Sequence, residues 1–124
     1  MDVEKFLDDV VVNNDYMTID EKDITFFRNR GEELHTSFTC LSSREDMLEE
    51  KEVEKVVETA LQDLGDDLTS LRTILIYMQG NISFSSARKF AREVRDRVDN
   101  EVQMIFGTAT AHDVPVIEIT MLAV

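Results

Sequence analysis

The sequence predicts an α/β domain of the α+β two-layer kind, in which a four-stranded mixed sheet carries helices mainly on one face. A nearly unbroken apolar run at 71–78 has the composition of a central strand that is covered on both faces. After Gly80, an amphipathic helix can begin at Ser83, and a second apolar strand follows from Val102. A strand, a helix and a strand in this order predict a right-handed crossover between parallel strands.

The first element is predicted to be an amphipathic helix at about 3–12. Its apolar residues recur at the spacing of one helix face: Val3, Phe6, Leu7, Val10 and Val11. A cluster that favours turns, Asn13 to Asp15, follows it. A second short helix is expected next, because Asp20 can cap its start together with Asp23 in a capping box.

A strand is expected at about 34–41, with one face less buried than the other. It contains Cys40, which has no second cysteine to pair with and is interpreted as a small buried hydrophobic residue in a reducing compartment. The longest helix follows at about 43–64, where the apolar stripe is clearest.

Four strands, at about 34–41, 72–79, 102–110 and 114–123, are expected to share one sheet, with 72–79 inside it. The last strand alternates apolar and polar residues and follows the third across a short connection. We therefore expect these two strands to form a hairpin. Pro115 favours an edge or the start of a strand, because it lacks an amide donor.

Length and charge limit the functions to be considered. The 124 residues fit a single domain spanning 1–124. The 26 acidic and 13 basic side chains give a net charge of −13, which works against binding nucleic acid or an anionic membrane. No apolar stretch reaches membrane length, and the first residues lack the pattern of a secretion signal. We therefore expect a cytoplasmic protein.

Residue patterns that carry catalytic chemistry are missing. The four glycines are too far apart to build a phosphate-binding loop, and neither histidine has a second ligand at metal-binding spacing. We therefore expect no cofactor, no metal and no enzymatic activity. Asp20 and Asp23 are the one carboxylate pair to weigh. Their spacing favours helix capping, and the alternative is a pair that orients water at the phosphate of a partner.

The stretch from Arg95 to Thr108 resembles the helix end, acidic turn and "N-I-I-F-G" strand in the C-terminal domain of the FtsZ/tubulin family of polymerising GTPases. The similarity continues without gaps back to Ser83, and segments at 53–61, 72–80 and 116–124 are similar to other elements of that domain. The heptapeptide Thr18-Ile19-Asp20-Glu21-Lys22-Asp23-Ile24 looks like the family's synergy loop, "N-L-D-F-A-D-V". The helix at 3–12 would then be the remainder of the core helix that joins the two domains of the family.

This resemblance implies an FtsZ/tubulin C-terminal-domain-like fold. It also implies a partner-binding role for Thr18, Asp20 and Asp23, because the family's synergy-loop acidic residues reach the nucleotide of the next subunit and help to activate water there. The asparagine of that loop is Thr18 here. The family's GTP-binding domain, with its glycine-rich signature, has no counterpart in the 124 residues, so the resemblance implies no GTPase activity for this chain alone.

Two functions remain open. The first is a non-catalytic interaction module that docks on an FtsZ-like GTPase through residues 18–23 and the first helix, and modulates filament assembly in cell division. The second is a self-associating structural or small-ligand-binding protein that reuses the scaffold. The apolar stripe of the first helix faces the other domain in the family, so without that domain we expect it to serve as an association helix in a homo-oligomer. That stripe comprises Val3, Phe6, Leu7, Val10 and Val11.

Overall fold

The computed structural model describes residues 2–14, 19–30, 33–42, 50–65, 70–111 and 116–124. Within these ranges the elements are α1 (Val3–Val12), α2 (Glu21–Thr25), β1 (His35–Ser42), α3 (Glu50–Leu64), β2 (Thr73–Gly80), α4 (Phe84–Arg97), β3 (Gln103–Thr110) and β4 (Val116–Ala123). Their order confirms the order of elements expected from the sequence. Three expectations lie outside the described residues: the role of Thr18, the start of the longest helix at 43–49, and the position of Pro115.

The four strands form one mixed sheet in the order β1-β4-β2-β3. β2 pairs in parallel with β3 on one side and antiparallel with β4 on the other. β4 also pairs antiparallel with β1. The predicted fold class is therefore confirmed, and so is the prediction that the strand at 72–79 lies inside the sheet.

The predicted hairpin between the last two strands is wrong, because β3 and β4 lie on opposite sides of β2. Tyr77 of β2 is paired with Gly107 on one side and with Thr120 on the other. The alternation along β4 indicates which side chains face the core, but it does not indicate which strand lies next to it. β2 is apolar on both faces, and such a strand buries most surface when it has a neighbour on each side.

Two helices cover the first face of the sheet. α3 packs on β1, β4 and α4, and α4 also packs on β3. The hydroxyl of Ser83 caps α4, as predicted, by accepting a hydrogen bond of 3.1 Å from the backbone N–H of Ser86. The main hydrophobic cluster lies here and includes Val57, Phe90, Ile76 and Ile119, each with no exposed surface.

The other two helices, α1 and α2, lie on the second face of the sheet. A second hydrophobic cluster joins them to three strands; its fully or nearly fully buried members include Leu7, Val10, Ile24, Phe27, Leu75, Tyr77 and Leu122. Burying each such large side chain stabilises the fold by roughly 1.5–3 kcal/mol.

This packing corrects the expectation that the apolar stripe of α1 lacks a covering surface and therefore serves in association. Leu7 and Val10 have no exposed surface, and Val3, Phe6 and Val11 pack against the same cluster. The sheet of the same chain therefore covers the apolar stripe of α1, and burying it requires no second subunit.

β1 is the least covered strand of the second face. Phe38 is 59% exposed and Cys40 is exposed, whereas Ser37 on the first face is buried. The prediction of one less buried face is confirmed, but the interpretation of Cys40 as a buried residue is wrong. The cause is the position of α1, whose cluster includes residues of β2, β3 and β4 but none of β1.

Candidate functional site

The two carboxylates singled out in the sequence lie together at the start of α2. Oδ1 of Asp20 accepts a hydrogen bond of 3.0 Å from the backbone N–H of Asp23, and Oδ2 of Asp23 accepts one of 3.0 Å from the backbone N–H of Asp20. This reciprocal pair confirms the predicted capping box. The box uses one oxygen of each carboxylate, and Asp20 remains exposed.

Ile19, which precedes the capping box, is anchored on β3. Its side chain is only 2% exposed and lies over Gly107. A Cβ added at Gly107 would lie 2.4 Å from Cδ1 and 2.7 Å from Cγ1 of Ile19, far closer than carbon atoms approach without a bond. Glycine at position 107 therefore creates the space that seats Ile19, and it fixes where the chain enters Asp20.

Asn14 ties the end of α1 to the same point. Its side-chain amide donates to the backbone carbonyls of Val10 at 2.8 Å, Val11 at 3.0 Å and Ile19 at 3.2 Å. Next to it, the hydroxyl of Tyr77 on β2 donates to the carbonyl of Asn13. The Asn14 amide thus joins the last turn of α1 to Ile19, and Tyr77 joins the end of α1 to β2.

Arg28 links α1 to α2. Its guanidinium donates to Glu21 at 2.8 and 3.2 Å, to Asp8 at 2.8 Å and to Glu4 at 3.1 Å. The hydrogen bonds to Glu21 and Asp8 raise the pKa of Arg28 above its ordinary value, and desolvation offsets only part of this increase. The backbone N–H of Asn29, which has a left-handed φ of 60°, also donates to Glu4 at 2.8 Å.

Together these contacts define a surface that we call the acidic corner, formed by Glu4 and Asp8 of α1 and by Asp20, Glu21 and Asp23 at α2. Arg28 neutralises part of its charge. Such a surface suits a partner that presents cations or a basic patch.

In the part of the chain that the structure describes, no group of three or more His, Cys, Asp or Glu side chains is arranged to hold a metal ion. Among the described helices, none is both long and apolar enough to cross a membrane.

Sequence reasoning found Asp20 and Asp23 but missed the residues that position them. Gly107 appeared only as part of a strand motif, and its contact with Ile19 joins distant parts of the chain. Asn14 appeared only as part of a turn cluster. Nothing in the local pattern around Arg28 indicated that it would meet α1.

No protein-family model matches the sequence, and no curated protein matches it. Solved structures do match. The chain superposes on an FtsZ W319Y mutant from M. jannaschii with a TM-score of 0.72 and 19% identity, covering 97% of this chain and 36% of that one. It matches an empty FtsZ dimer from M. jannaschii with a TM-score of 0.70, 18% identity and 97% coverage, here over 35% of the other chain.

A third match is the helical model of the four-stranded TubZ-Bt filament, with a TM-score of 0.65 and 10% identity over 98% of this chain and 32% of the other. The chain thus spans about a third of the length of the proteins that it resembles. Nearly all of it superposes on them, and the chain has the fold of the FtsZ/tubulin C-terminal domain.

Proposed function

We propose that this chain is a non-catalytic interaction module of the cytoplasm, which docks on an FtsZ-like GTPase through the acidic corner and modulates filament assembly in cell division. The main observation in favour of this proposal is the set of contacts that position Asp20 and Asp23. The contact of Ile19 with Gly107 and the capping box position both carboxylates at the start of α2. The sequence at 18–24 resembles the family's synergy loop. The FtsZ dimer and the TubZ filament among the similar structures are assemblies, which supports a role in association.

The proposed mechanism is a filament cap. A chain that presents Asp20 and Asp23 to the nucleotide of an FtsZ-like subunit occupies the place of the next subunit. Because these 124 residues contain no phosphate-binding loop, the capped end offers no nucleotide site for further growth. Filaments are therefore shortened at substoichiometric amounts, and GTP turnover rises in the subunit that is contacted.

The cap should depend on Mg²⁺. Two carboxylates beside a triphosphate repel it unless a cation or a positioned water lies between them. Removing Mg²⁺ should therefore weaken docking even where the partner keeps its nucleotide.

The test uses substitutions that remove the charge of Asp20 or Asp23 but keep the helix cap of α2. These substitutions separate a role in docking on a filament from a role in helix capping alone. Asn caps a helix about as well as Asp, so Asp20→Asn should keep the melting temperature but lose the effect on filaments. Asp23→Asn keeps an oxygen that can accept from the backbone N–H of Asp20 and loses only a charge in the first turn of α2, so it should lose the effect on filaments at a cost of about 0.3–1 kcal/mol of stability. Asp20→Ala should lose the effect and also cost about 0.5–2 kcal/mol of stability. Asp96→Asn, at an exposed residue of α4, is the matched control and should behave like wild type.

The measurements are sedimentation and GTP turnover of the FtsZ-like protein from the same organism, with melting curves of each variant. If equimolar wild-type protein leaves polymer yield and turnover unchanged, filament docking is wrong. Asp20 and Asp23 then serve only to cap helix α2, and the proposed function becomes that of a self-associating structural or small-ligand-binding protein.

A further inference from the structure

β1 presents an open edge of the sheet. It pairs with β4 along its whole length in an unbroken register, and no described strand pairs with its other side. Edge strands are normally protected by charged residues, proline or a bulge. Residues 35–42 contain no Asp, Glu, Lys, Arg or Pro, although the chain carries a net charge of −13. This strand is therefore a stretch where two copies can approach with little repulsion.

An exposed aromatic ring lies in the middle of this strand. Phe38 is 59% exposed on the second face, and it lines a groove of about 520 Å³ together with Phe6 and Thr120. β3, the other edge strand, differs in this respect. Its large apolar side chains, Met104, Ile105 and Phe106, pack against the two hydrophobic clusters.

Two buried hydroxyls lie on the opposite face of the same strand. Ser37 is 4% exposed, and neither its Oγ nor Oγ1 of Thr39 has a hydrogen-bond partner within the described part of the chain. A buried hydroxyl without a partner is unfavourable. The two hydroxyls flank Phe38 in sequence, one on each side.

We propose that β1 is a homodimer interface, in which the β1 strands of two copies pair antiparallel about a two-fold axis at Phe38. An axis perpendicular to the sheet keeps each face continuous, so residues that lie opposite each other must share a face. Centred on Phe38, this register places Phe38 opposite the partner's Phe38 and Ser37 opposite the partner's Thr39.

The strand is complementary to itself in this register. The two Ser-Thr pairs bring together the hydroxyls that lack partners, and such cross-strand pairs hydrogen-bond. The two Phe38 rings cover each other, and the open backbone edges complete their ladders. Because the strand is complementary to itself, the partner at the open edge of β1 is a second copy of the chain. The proposal is independent of filament docking, because the acidic corner is anchored at β3, the far edge of the sheet.

The first test is the oligomeric state by light scattering over a concentration series. Wild-type protein should be a dimer, and Phe38→Asp should be a monomer. Its melting temperature should equal that of wild-type protein diluted until it is monomeric, since an exposed side chain is replaced and only the stabilisation by dimerisation is lost. Phe84→Asp, at a residue that is 44% exposed on α4, is the matched control and should remain a dimer. Ser37→Ala combined with Thr39→Val should weaken dimerisation roughly tenfold without destabilising the monomer.

The second test is the register. Opposite residues have Cα atoms about 4.5–5.5 Å apart, which permits a disulfide. Phe38→Cys in a Cys40→Ser background should therefore cross-link on mild oxidation. So should Thr36→Cys with native Cys40, which lies opposite position 36, whereas Thr36→Cys in the Cys40→Ser background should not.

Two results would overturn the proposal: a wild-type monomer throughout the series, or a dimer that survives Phe38→Asp. Rapid cross-linking of wild-type protein through Cys40 alone would contradict the register, because the two Cys40 residues are then four positions out of alignment.

Discussion

At the scale of single residues, Gly107 controls where the acidic corner lies. A hydrogen atom in place of a methyl group leaves room for Ile19, and Ile19 leads directly into Asp20. The sequence predicted the strand that contains Gly107 but not this contact, because periodicity reports which residues share a face and not which distant residues meet. The position of the candidate site thus depends on a tertiary contact, whereas its capping box was visible in the local sequence.

We expect Gly107→Ala to lower the free energy of unfolding by about 1–3 kcal/mol, because the new methyl group overlaps Cδ1 of Ile19. Ile19→Ala alone should cost about 2–5 kcal/mol, since it empties a buried site. In the double variant the overlap is gone, so the combined loss should be smaller than the sum. Urea denaturation of the four proteins measures this coupling, and additive losses would contradict the contact.

At the scale of elements, Arg28 adds an electrostatic link between α1 and α2, whose apolar side chains share one cluster on the second face of the sheet. It contacts three carboxylates, two on α1 and one on α2. Because the pKa of Arg28 is raised in the folded state, its contribution is fully present below the ordinary pKa and is lost only as pH rises through the raised value. The stability that Arg28 supplies should therefore not vary with its own titration near neutral pH.

Arg28→Gln should lower the melting temperature more than Arg30→Gln. Within the described residues, Arg30 forms one ion pair, with Glu33, and also donates to the carbonyl of Phe26. Its side chain is 37% exposed against 22% for Arg28. The difference between the variants should shrink at high salt, where exposed charges are screened. Equal melting temperatures at low salt would show that the three carboxylate contacts of Arg28 contribute no more than the contacts of Arg30.

At this scale, the sequence predicted the features that depend on local patterns and not those that depend on contacts between distant parts of the chain. The helix at 3–12, the box of Asp20 and Asp23 and the interior strand at 72–79 were predictable, because periodicity, capping and an apolar run are local properties. The neighbour of β4 and the covering of α1 were not. Both depend on which surfaces meet after the chain has folded. Two arrangements that bury the same faces have the same pattern of apolar and polar residues, so the sequence pattern does not distinguish them.

At the scale of the whole molecule, charge and topology bear on nucleotide binding. The chain should not bind GTP in the presence of Mg²⁺, since the sequence has no loop to wrap phosphates and a net charge of −13 repels them. Calorimetric titration measures this directly. Micromolar affinity would reveal a nucleotide site with no counterpart in the proposed function.

The strand order also has a consequence for how the protein folds during synthesis. β1 pairs only with β4 among the described strands, and β4 is the last of the four in the sequence. A nascent chain therefore carries β1 with both edges open while α3, β2, α4 and β3 are being made. The sheet closes only when β4 enters between β1 and β2, which makes folding slow and non-local. Until then the uncharged β1 is open to pairing with other chains, so this strand is where we expect chaperones to be needed and aggregation to begin.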